Sequence, residues 1–196
     1  MKNKLFIVSH YKENTDWLDN FPYPYKVLES TCGHEATMLS YIYNNYGNLP
    51  DILGIIQAFP FDHAKEEVFY NLINNNEFTS LEYNGMVPNN GWERRTPEGY
   101  FLETNNSWYI SAHGKPCKYA SLDDMIIKYF PEYSHLDWIR FSPGTQFLIP
   151  KENILYYSKD FWKELSEELT EYNMTESFMI ERMMYYVFTN AYKEKI

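Results

Sequence analysis

The chain has 196 residues and a formal net charge of −10 at pH 7, and apolar residues make up 44% of it. The length corresponds to one domain, and the apolar fraction excludes a disordered chain. The acidic balance argues against nucleic acid or an anionic membrane as the main partner, whereas a small phosphorylated ligand held through a metal ion stays compatible with it.

The two cysteines, Cys32 and Cys117, lack C-x-x-C spacing, and no secretory leader precedes them. We therefore expect reduced thiols and a cytoplasmic protein. No apolar run approaches the roughly 20 residues of a membrane span, so we expect no integral membrane segment.

The first 75 residues alternate between strand and helix patterns. Apolar runs predict strands at 4–9, 25–29 and 51–58, the last bounded by Pro50 and Pro60 and buried on both faces. A short helix that carries Trp17 and Leu18 is expected after the first strand, and helical spacing predicts helices over 36–46 and 64–74. A β-α-β-α-β order implies a parallel sheet, so we expect the three strands to be adjacent and parallel, with the first long helix packed on one face.

The rest of the chain is harder to interpret. Residues 75–119 are rich in proline, glycine and aromatic residues, and a loop of this length is either functional or contains short strands. Beyond it, Ser121 is expected to cap a helix that ends at Tyr129. Further patterns predict strands at 138–141 and 146–149 and helices at 159–172 and 176–192.

Asp62 and His63 follow directly after the third strand. In open α/β sheets ligands bind at the carboxyl ends of the strands, and a carboxylate beside an imidazole can ligate a metal. The alternative is that Asp62 caps the helix that begins near Ala64. On spacing alone we favour the cap.

Two more segments are placed to touch a ligand. Residues 9–13 form the end of the first strand and the loop after it, where Tyr11 can stack on a base and Glu13 can accept a hydrogen bond. Gly33, His34 and Glu35 open the first long helix, and Glu35 is explained equally well by the helix dipole or by a ligand. The chain contains neither G-x-G-x-x-G nor a P-loop motif.

Two later features have both a structural and a functional interpretation. Gly144 and Gln146 precede a strand and form either a simple turn or a backbone edge that touches a substrate. Glu181 and Arg182 lie within an apolar stretch of the last helix. They form either a structural ion pair or a catalytic carboxylate held by a cation.

Taken together, these segments resemble the short GT-A-like glycosyltransferase family, which includes bacterial and giant-virus proteins and is similar to the N-terminal domain of a chlorella-virus multidomain glycosyltransferase. Residues 9–18 match R/H-Y-x-E-x-x-x-W-L, and residues 33–51 match a segment that begins G-R/H-E and ends L-P-D. Residues 57–63 match Q-x-x-P-F-D-H, residues 144–154 match G-x-Q-F-x-V/I-x-x-E-x-I, and Glu181-Arg182 matches E-R in a C-terminal helix.

The resemblance implies a GT-A-like (Rossmann-like), mostly parallel sheet flanked by helices in a single domain over residues 1–196. Residues 1–75 would form the nucleotide-binding half and 76–196 the acceptor side with the C-terminal helices. The implied activity is transfer of a sugar from a UDP- or GDP-linked donor to a glycan or other hydroxyl acceptor. The residues expected to bind the donor are Ser9, His10, Tyr11, Glu13, Gly33, His34, Glu35, Gly144 and Gln146.

The resemblance also implies a divalent metal, Mn or Mg. Most GT-A enzymes carry D-x-D after the central strand, whereas this chain has Phe61-Asp62-His63, so Asp62 would ligate the metal with His63 or a water. Glu181 is the candidate general base, with Asp137 in reserve. Two other classes stay open: a metal-dependent hydrolase that uses Asp62, His63 and His34, and a non-catalytic carbohydrate-binding module.

Overall fold

A computed structural model describes residues 2–30, 32–82, 91–96, 100–112, 117–169 and 174–191. Its strands are β1 (Lys4–His10), β2 (Tyr25–Glu29), β3 (Ile52–Gln57), β4 (Thr79–Ser80), β5 (Glu93–Arg95), β6 (Phe101–Thr104), β7 (Trp138–Arg140) and β8 (Phe147–Pro150). Its α-helices are α1 (His34–Asn45), α2 (Glu66–Leu72), α3 (Trp108–Ala112), α4 (Leu122–Tyr129), α5 (Lys151–Leu155), α6 (Lys159–Glu167) and α7 (Met174–Thr189). Short 3-10 turns cover Asp16–Asn20, Tyr46–Asn48 and Pro60–Asp62.

The central sheet has five strands in the order β2-β1-β3-β8-β4. Strands β2, β1 and β3 are adjacent and parallel, as the sequence predicts. A 3-10 turn at Asp16–Asn20, rather than an α-helix, lies between β1 and β2. Strand β8 is antiparallel to β3, and β4 is antiparallel to β8. The sheet is therefore mixed, and the expectation of a mostly parallel sheet holds for its first three strands.

Both faces of this sheet are covered, which explains the continuous apolar runs of β1 and β3. Successive side chains of a strand point to opposite faces. Accordingly, Ile7 and Leu53 join a core with α1, α6 and α7, whereas Phe6 and Ile56 join a second core that includes Phe69 of α2. Helix α1 packs on β1, as the sequence predicts, and also contacts α6 and α7. The result is one α/β domain with helices flanking the sheet.

Residues 75–119, where no clear pattern is visible in the sequence, contribute short strands. Strands β5, β6 and β7 form a separate three-stranded antiparallel sheet. This outcome fits the expectation that such a segment contains short strands. Residues 83–90, 97–99 and 113–116 lie outside the described residues. The same holds for residues 170–172 and 192, at the ends of the two helices that the sequence predicts last.

Gly54 of β3 lies opposite Phe6 of β1, and it provides a test of this packing. A Cβ atom at Gly54 would lie 2.2 Å from Cδ1 of Phe6, whose buried ring is packed edge-on against Phe21. We expect Gly54→Ala to lower the free energy of unfolding by about 1–3 kcal/mol, the usual cost of overpacking a core.

Urea denaturation would measure this effect, with Gly47→Ala as the control. A Cβ at Gly47 meets no described heavy atom within 4 Å, so its effect should stay within about 0.5 kcal/mol. Equal stability of the two variants would contradict the close approach of β1 and β3.

Candidate functional site

Several chain segments converge at the carboxyl edge of the parallel strands. Strands β1 and β3 both end there, and α1 begins there after β2. Because β8 runs antiparallel to β3, with Ile55 opposite Phe147, the loop that precedes β8 lies at the same edge. The N-terminal half of α7 completes this edge, since Ser177 donates a hydrogen bond to Glu35 of α1.

A cavity of about 550 Å³ opens at this edge. This first cavity contains eight of the residues that the sequence predicts for a site: Tyr11, Glu13, Gly33, His34, Glu35, His63, Gly144 and Glu181. Four others that line it were not predicted: Ser30, Gln57, Ser177 and Phe178. Ser177, Phe178 and Glu181 lie on one turn of α7, so the helical spacing around Glu181 is the signal that could have identified them.

Three of the expected donor-binding residues lie behind the cavity wall and support it. The Ser9 hydroxyl donates to Thr37 Oγ1 (3.2 Å). A ring nitrogen of His10, Nε2, lies 3.1 Å from the carbonyl oxygen of Glu13. Gln146 is buried and accepts from the backbone N–H of Gln57 at 3.3 Å, which fixes the end of β3. These side chains shape the loops that line the cavity.

Asp62 does not cap a helix, contrary to the interpretation that its spacing favours. Helix α2 begins at Glu66 with Lys65 as its N-cap residue, and Asp62 belongs to the preceding 3-10 turn. The expected cap is wrong because this turn separates Asp62 from the helix. Its side chain is exposed, whereas the neighbouring His63 lines the first cavity.

The expected metal centre has few candidate ligands. Within the described ranges, no group of three or more His, Cys, Asp or Glu side chains is placed to hold a metal ion. Asp62 and His63 are two candidate ligands, and Mg or Mn is commonly bound through one or two carboxylates together with substrate phosphates and waters. The divalent metal stays a prediction that rests on these two side chains, and we derive no chemical step through it.

Asp137 lies away from this edge. It precedes β7 in the small sheet, its side chain is 91% exposed, and its carboxylate lies 3.5 Å from His135. The structure therefore does not bring the reserve base to the cavity that contains Glu181.

Glu35 is a buried carboxylate that joins three elements. Its Oε1 accepts a hydrogen bond from Thr145 Oγ1 at 2.6 Å, and its Oε2 accepts from the Ser177 hydroxyl. These bonds tie the start of α1 to the loop before β8 and to α7. Glu35 therefore has a structural role in the cavity wall beyond its favourable position in the first turn of a helix.

Gly144 is required where this loop approaches its neighbours. Its backbone has φ +78°, and a Cβ atom there would lie 2.4 Å from Cδ2 of His63. The Gly144 N–H donates to Glu181 Oε1 at 2.7 Å. The glycine thus lets the backbone lie between an imidazole and a carboxylate.

Glu181 and Arg182 belong to a buried network that reaches the small sheet. Arg182 donates to Glu103 through Nε (2.7 Å) and Nη2 (3.1 Å), and to Glu181 Oε2 through Nη1 (2.9 Å). The guanidinium also lies 4.4 Å from the ring centroid of Phe141. Such a bidentate, charge-assisted pair fixes the geometry of its partners. The ion pair that the sequence suggested is present, and Glu103 is the partner that the sequence did not reveal.

Burial raises the pKa of Glu181 to about 7. Arg182 and the Gly144 N–H act in the opposite direction, whereas the nearby Glu35 and Glu103 add to the increase. A carboxyl group that titrates near neutral pH can take or give a proton under physiological conditions.

Two histidines lie beside Glu181 in the first cavity. Burial lowers the pKa of both His34 and His63, so both are neutral near pH 7. The buried Nδ1 of His34 has no hydrogen-bond partner in the described part of the chain. A neutral imidazole with a free nitrogen can donate to or accept from a ligand in the cavity.

A second cavity, of about 320 Å³, adjoins the first. The two share three lining residues: His63, Phe178 and Glu181. The remaining wall of the second cavity combines aromatic and charged side chains: Glu82, Glu93, Arg95, Phe101, Glu103, Trp108, Phe141, Pro143 and Arg182. The site is thus a pair of cavities with Glu181 at their junction.

Comparison with known proteins gives one match. The sequence profile of a family described as a protein of unknown function (DUF3431) matches residues 5–196. Neither the curated proteins nor the solved structures gave a match. Cys32 and Cys117 are not joined in a disulfide bond, and no helix within the described ranges is long and apolar enough to cross a membrane.

Proposed function

The chain belongs to the DUF3431 family, and we propose that it transfers a sugar from a nucleotide-sugar donor to a hydroxyl group of a glycan acceptor. The observation that carries the proposal is the junction of two cavities at Glu181. A transferase must hold its two substrates side by side, with the reacting hydroxyl of the acceptor beside a group that can take its proton. The cytoplasmic location expected from the sequence is part of this proposal.

The first cavity suits the donor. Tyr11 is 59% exposed at the end of β1, where its ring can stack on a base. The Tyr11 N–H donates to Glu13 Oε2 at 2.6 Å, which holds this carboxylate in position to accept from a ribose hydroxyl. Helix α1 begins at Gly33 and His34 on the same wall, and the N-terminus of a helix favours phosphate groups.

The second cavity suits the acceptor, and Glu181 lies between the two. In the proposed reaction the carboxylate of Glu181 accepts the proton of the acceptor hydroxyl. The acceptor oxygen then forms a bond with the anomeric carbon, while the bond from that carbon to the diphosphate breaks and the diphosphate leaves with the electron pair. His34 and His63 lie on the donor side, where an N–H can bind a phosphate oxygen.

Binding of nucleotides tests the donor half of the proposal. We expect one of the UDP, GDP, CMP and TDP compounds to raise the melting temperature in a thermal-shift panel run with and without Mn²⁺. Tyr11→Ala should weaken binding of that nucleotide about tenfold or more, since a base stacked on an aromatic ring contributes about 1–3 kcal/mol. Glu13→Ala should also weaken it, through loss of the contact with the ribose.

Tyr156→Ala is the matched control, because Tyr156 is 64% exposed and lies beyond α5, away from the cavity. Calorimetry would compare the variants. Unchanged affinity in both Tyr11→Ala and Glu13→Ala would refute the assignment of the donor to the first cavity. Sugar binding without any nucleotide binding would favour a carbohydrate-binding module, and phosphatase or esterase turnover without an acceptor would favour a hydrolase.

A further inference from the structure

A third cavity, of about 220 Å³, continues the groove beyond the second one. The two share Glu82. Typical ligand pockets have volumes of about 300–1,000 Å³, and the third cavity is smaller than these, so it suits one substituent or one sugar unit. Its lining comprises Val68, Leu72, Asn75, Glu77, Phe78, Thr79, Ser80, Glu82, Tyr100 and Arg140.

Arg140 is the basic side chain among the described residues that line this third cavity. Its guanidinium lies 3.3 Å from the ring centroid of Tyr100 and 4.1 Å from that of Tyr185. These rings cover the planar group, and stacking of this kind orders an arginine while its N–H groups stay available in the plane. The backbone N–H of Arg140 also donates to the Tyr186 hydroxyl at 2.9 Å, which anchors the end of β7.

The guanidinium of Arg140 has no hydrogen-bond acceptor in the described part of the chain. Its buried Nε is unpaired there, and no carboxylate of the described residues lies within ion-pair distance of it. A half-buried cation without a hydrogen-bonded anion is costly, and a cation of this kind commonly binds an anion from a ligand. Arg182, by contrast, is satisfied by Glu103 and Glu181.

The two acidic residues on the same wall accept no hydrogen bond from Arg140, although Glu82 attracts it electrostatically at longer range. Glu82 is buried, and its carboxylate accepts from the Phe101 N–H at 3.1 Å and from Arg95 at 3.4 Å. Glu77 is exposed, so solvent screens its charge. Asn75, Thr79 and Ser80 add neutral polar groups to the cavity.

We propose that the cavity beside Arg140 binds an anionic group of the acceptor, a carboxylate, sulfate or phosphate carried on a sugar unit next to the one that reacts. This inference rests on the proposed function for the order of the cavities: donor, reacting hydroxyl, then anion. The acceptor is then an extended molecule that carries negative charge. Arginine suits such a group because its planar fork binds two oxygens at once.

Glucuronate and glucose test the anion site directly, because they share a ring and differ in charge. We expect glucuronate to bind the wild-type protein at least tenfold more tightly than glucose in ligand-observed NMR titrations. Arg140→Gln should remove that preference. Arg140→Lys keeps the charge without the planar fork, so it should retain part of the preference for glucuronate. This variant keeps the test valid if Arg140→Gln is poorly folded.

Arg94→Gln is the matched control, since Arg94 also stacks on an aromatic ring, 3.9 Å from the centroid of Trp138, but lies outside all three cavities. Equal affinity for glucuronate and glucose in the wild-type protein, or an unchanged preference in both Arg140 variants, would overturn the inference.

The panel of nucleotide compounds distinguishes a failure of the anion site from a failure of the proposed function. Nucleotide binding with no Arg140-dependent preference defeats the anion site alone, whereas an Arg140-dependent preference without nucleotide binding defeats the transferase and leaves the anion site standing.

Discussion

Glu181→Gln is expected to reduce turnover by about 10²–10⁴-fold, the usual contribution of a general base. Glutamine keeps the size of the side chain and an oxygen that can accept from the Gly144 N–H, so the loop before β8 should stay in place. What is lost is the ability to take a proton from the acceptor hydroxyl. Steady-state kinetics with the nucleotide sugar identified by the binding panel would measure the loss.

The pH dependence of the wild-type enzyme provides a second readout. A general base works in its deprotonated form, so kcat/KM should rise with pH through about 7 and level off above it, following the raised pKa of Glu181. Glu181→Gln should lose this dependence together with the activity. A merely structural role for Glu181 would not place the inflection at its pKa.

Glu176→Gln is the matched control, because Glu176 is a buried glutamate of the same helix that lies outside both cavities and accepts from the Lys118 N–H at 2.9 Å. We expect its turnover to stay close to that of the wild type. Equal losses in Glu176→Gln and Glu181→Gln would point to a defect of the helix, and full activity in Glu181→Gln would remove Glu181 from the mechanism.

The raised pKa of Glu181 also affects stability. Its native pKa of about 7 lies above the ordinary value of 4.5 for an exposed carboxyl group, so the native state holds more protons than the unfolded state between these values. Stability therefore falls as pH rises through this window, by about 3 kcal/mol for a shift of this size. Urea denaturation should show this dependence in the wild type and a weaker one in Glu181→Gln.

The sequence predicts the first half of the fold well because local patterns determine it. The apolar runs of β1 and β3 and the helical spacing of α1 need no information from elsewhere in the chain. The direction of β8 is different, since an apolar run of four residues has the same pattern whichever way it pairs. The strands β5 and β6 are also short, and their pairing with β7 depends on contacts far apart in sequence.

The site is predictable to the extent that it follows from strand direction. Tyr11 and His63 follow β1 and β3, and the rule that ligands bind at carboxyl ends places both in the first cavity. That rule does not say which side chain of a loop faces the ligand. Gly144 therefore lines the cavity, whereas Gln146, two residues later, is a buried support.

The remaining part of the site depends on tertiary contacts between residues far apart in the sequence. Glu103 lies 78 residues before Glu181 in the sequence, and Arg182 brings the two carboxylates together through β6 and α7. Nothing in the spacing of these residues indicates that contact. Arg140 is a similar case, since its stacking between Tyr100 and Tyr185 depends on the fold of the small sheet against α7.

Arg182→Met is expected to give a large loss of stability, about 3–5 kcal/mol, the cost of removing one partner from a buried ion pair. Methionine places an apolar side chain among Phe141, Tyr109 and Phe178, the rings that surround the guanidinium. However, it leaves Glu103 and Glu181 buried without their shared cation. The stability change would be measured by urea denaturation.

The loss in Arg182→Met should depend on pH in a defined direction. Without the cation, the negative charges of the two buried carboxylates are uncompensated, so the native variant takes up protons as pH falls more readily than the wild type does. The difference in stability between the variant and the wild type should therefore be smaller at pH 5 than at pH 8. Arg182→Lys keeps the charge but not the bidentate fork, so its stability should lie between that of Arg182→Met and that of the wild type.

Lys163→Met is the control, because the ion pair between Lys163 and Glu167 is exposed and 3.8 Å long and should contribute less than about 1 kcal/mol. If Arg182→Met unfolds like Lys163→Met at pH 8, the buried network does not stabilise the fold, and its carboxylates would have to be explained by the reaction alone.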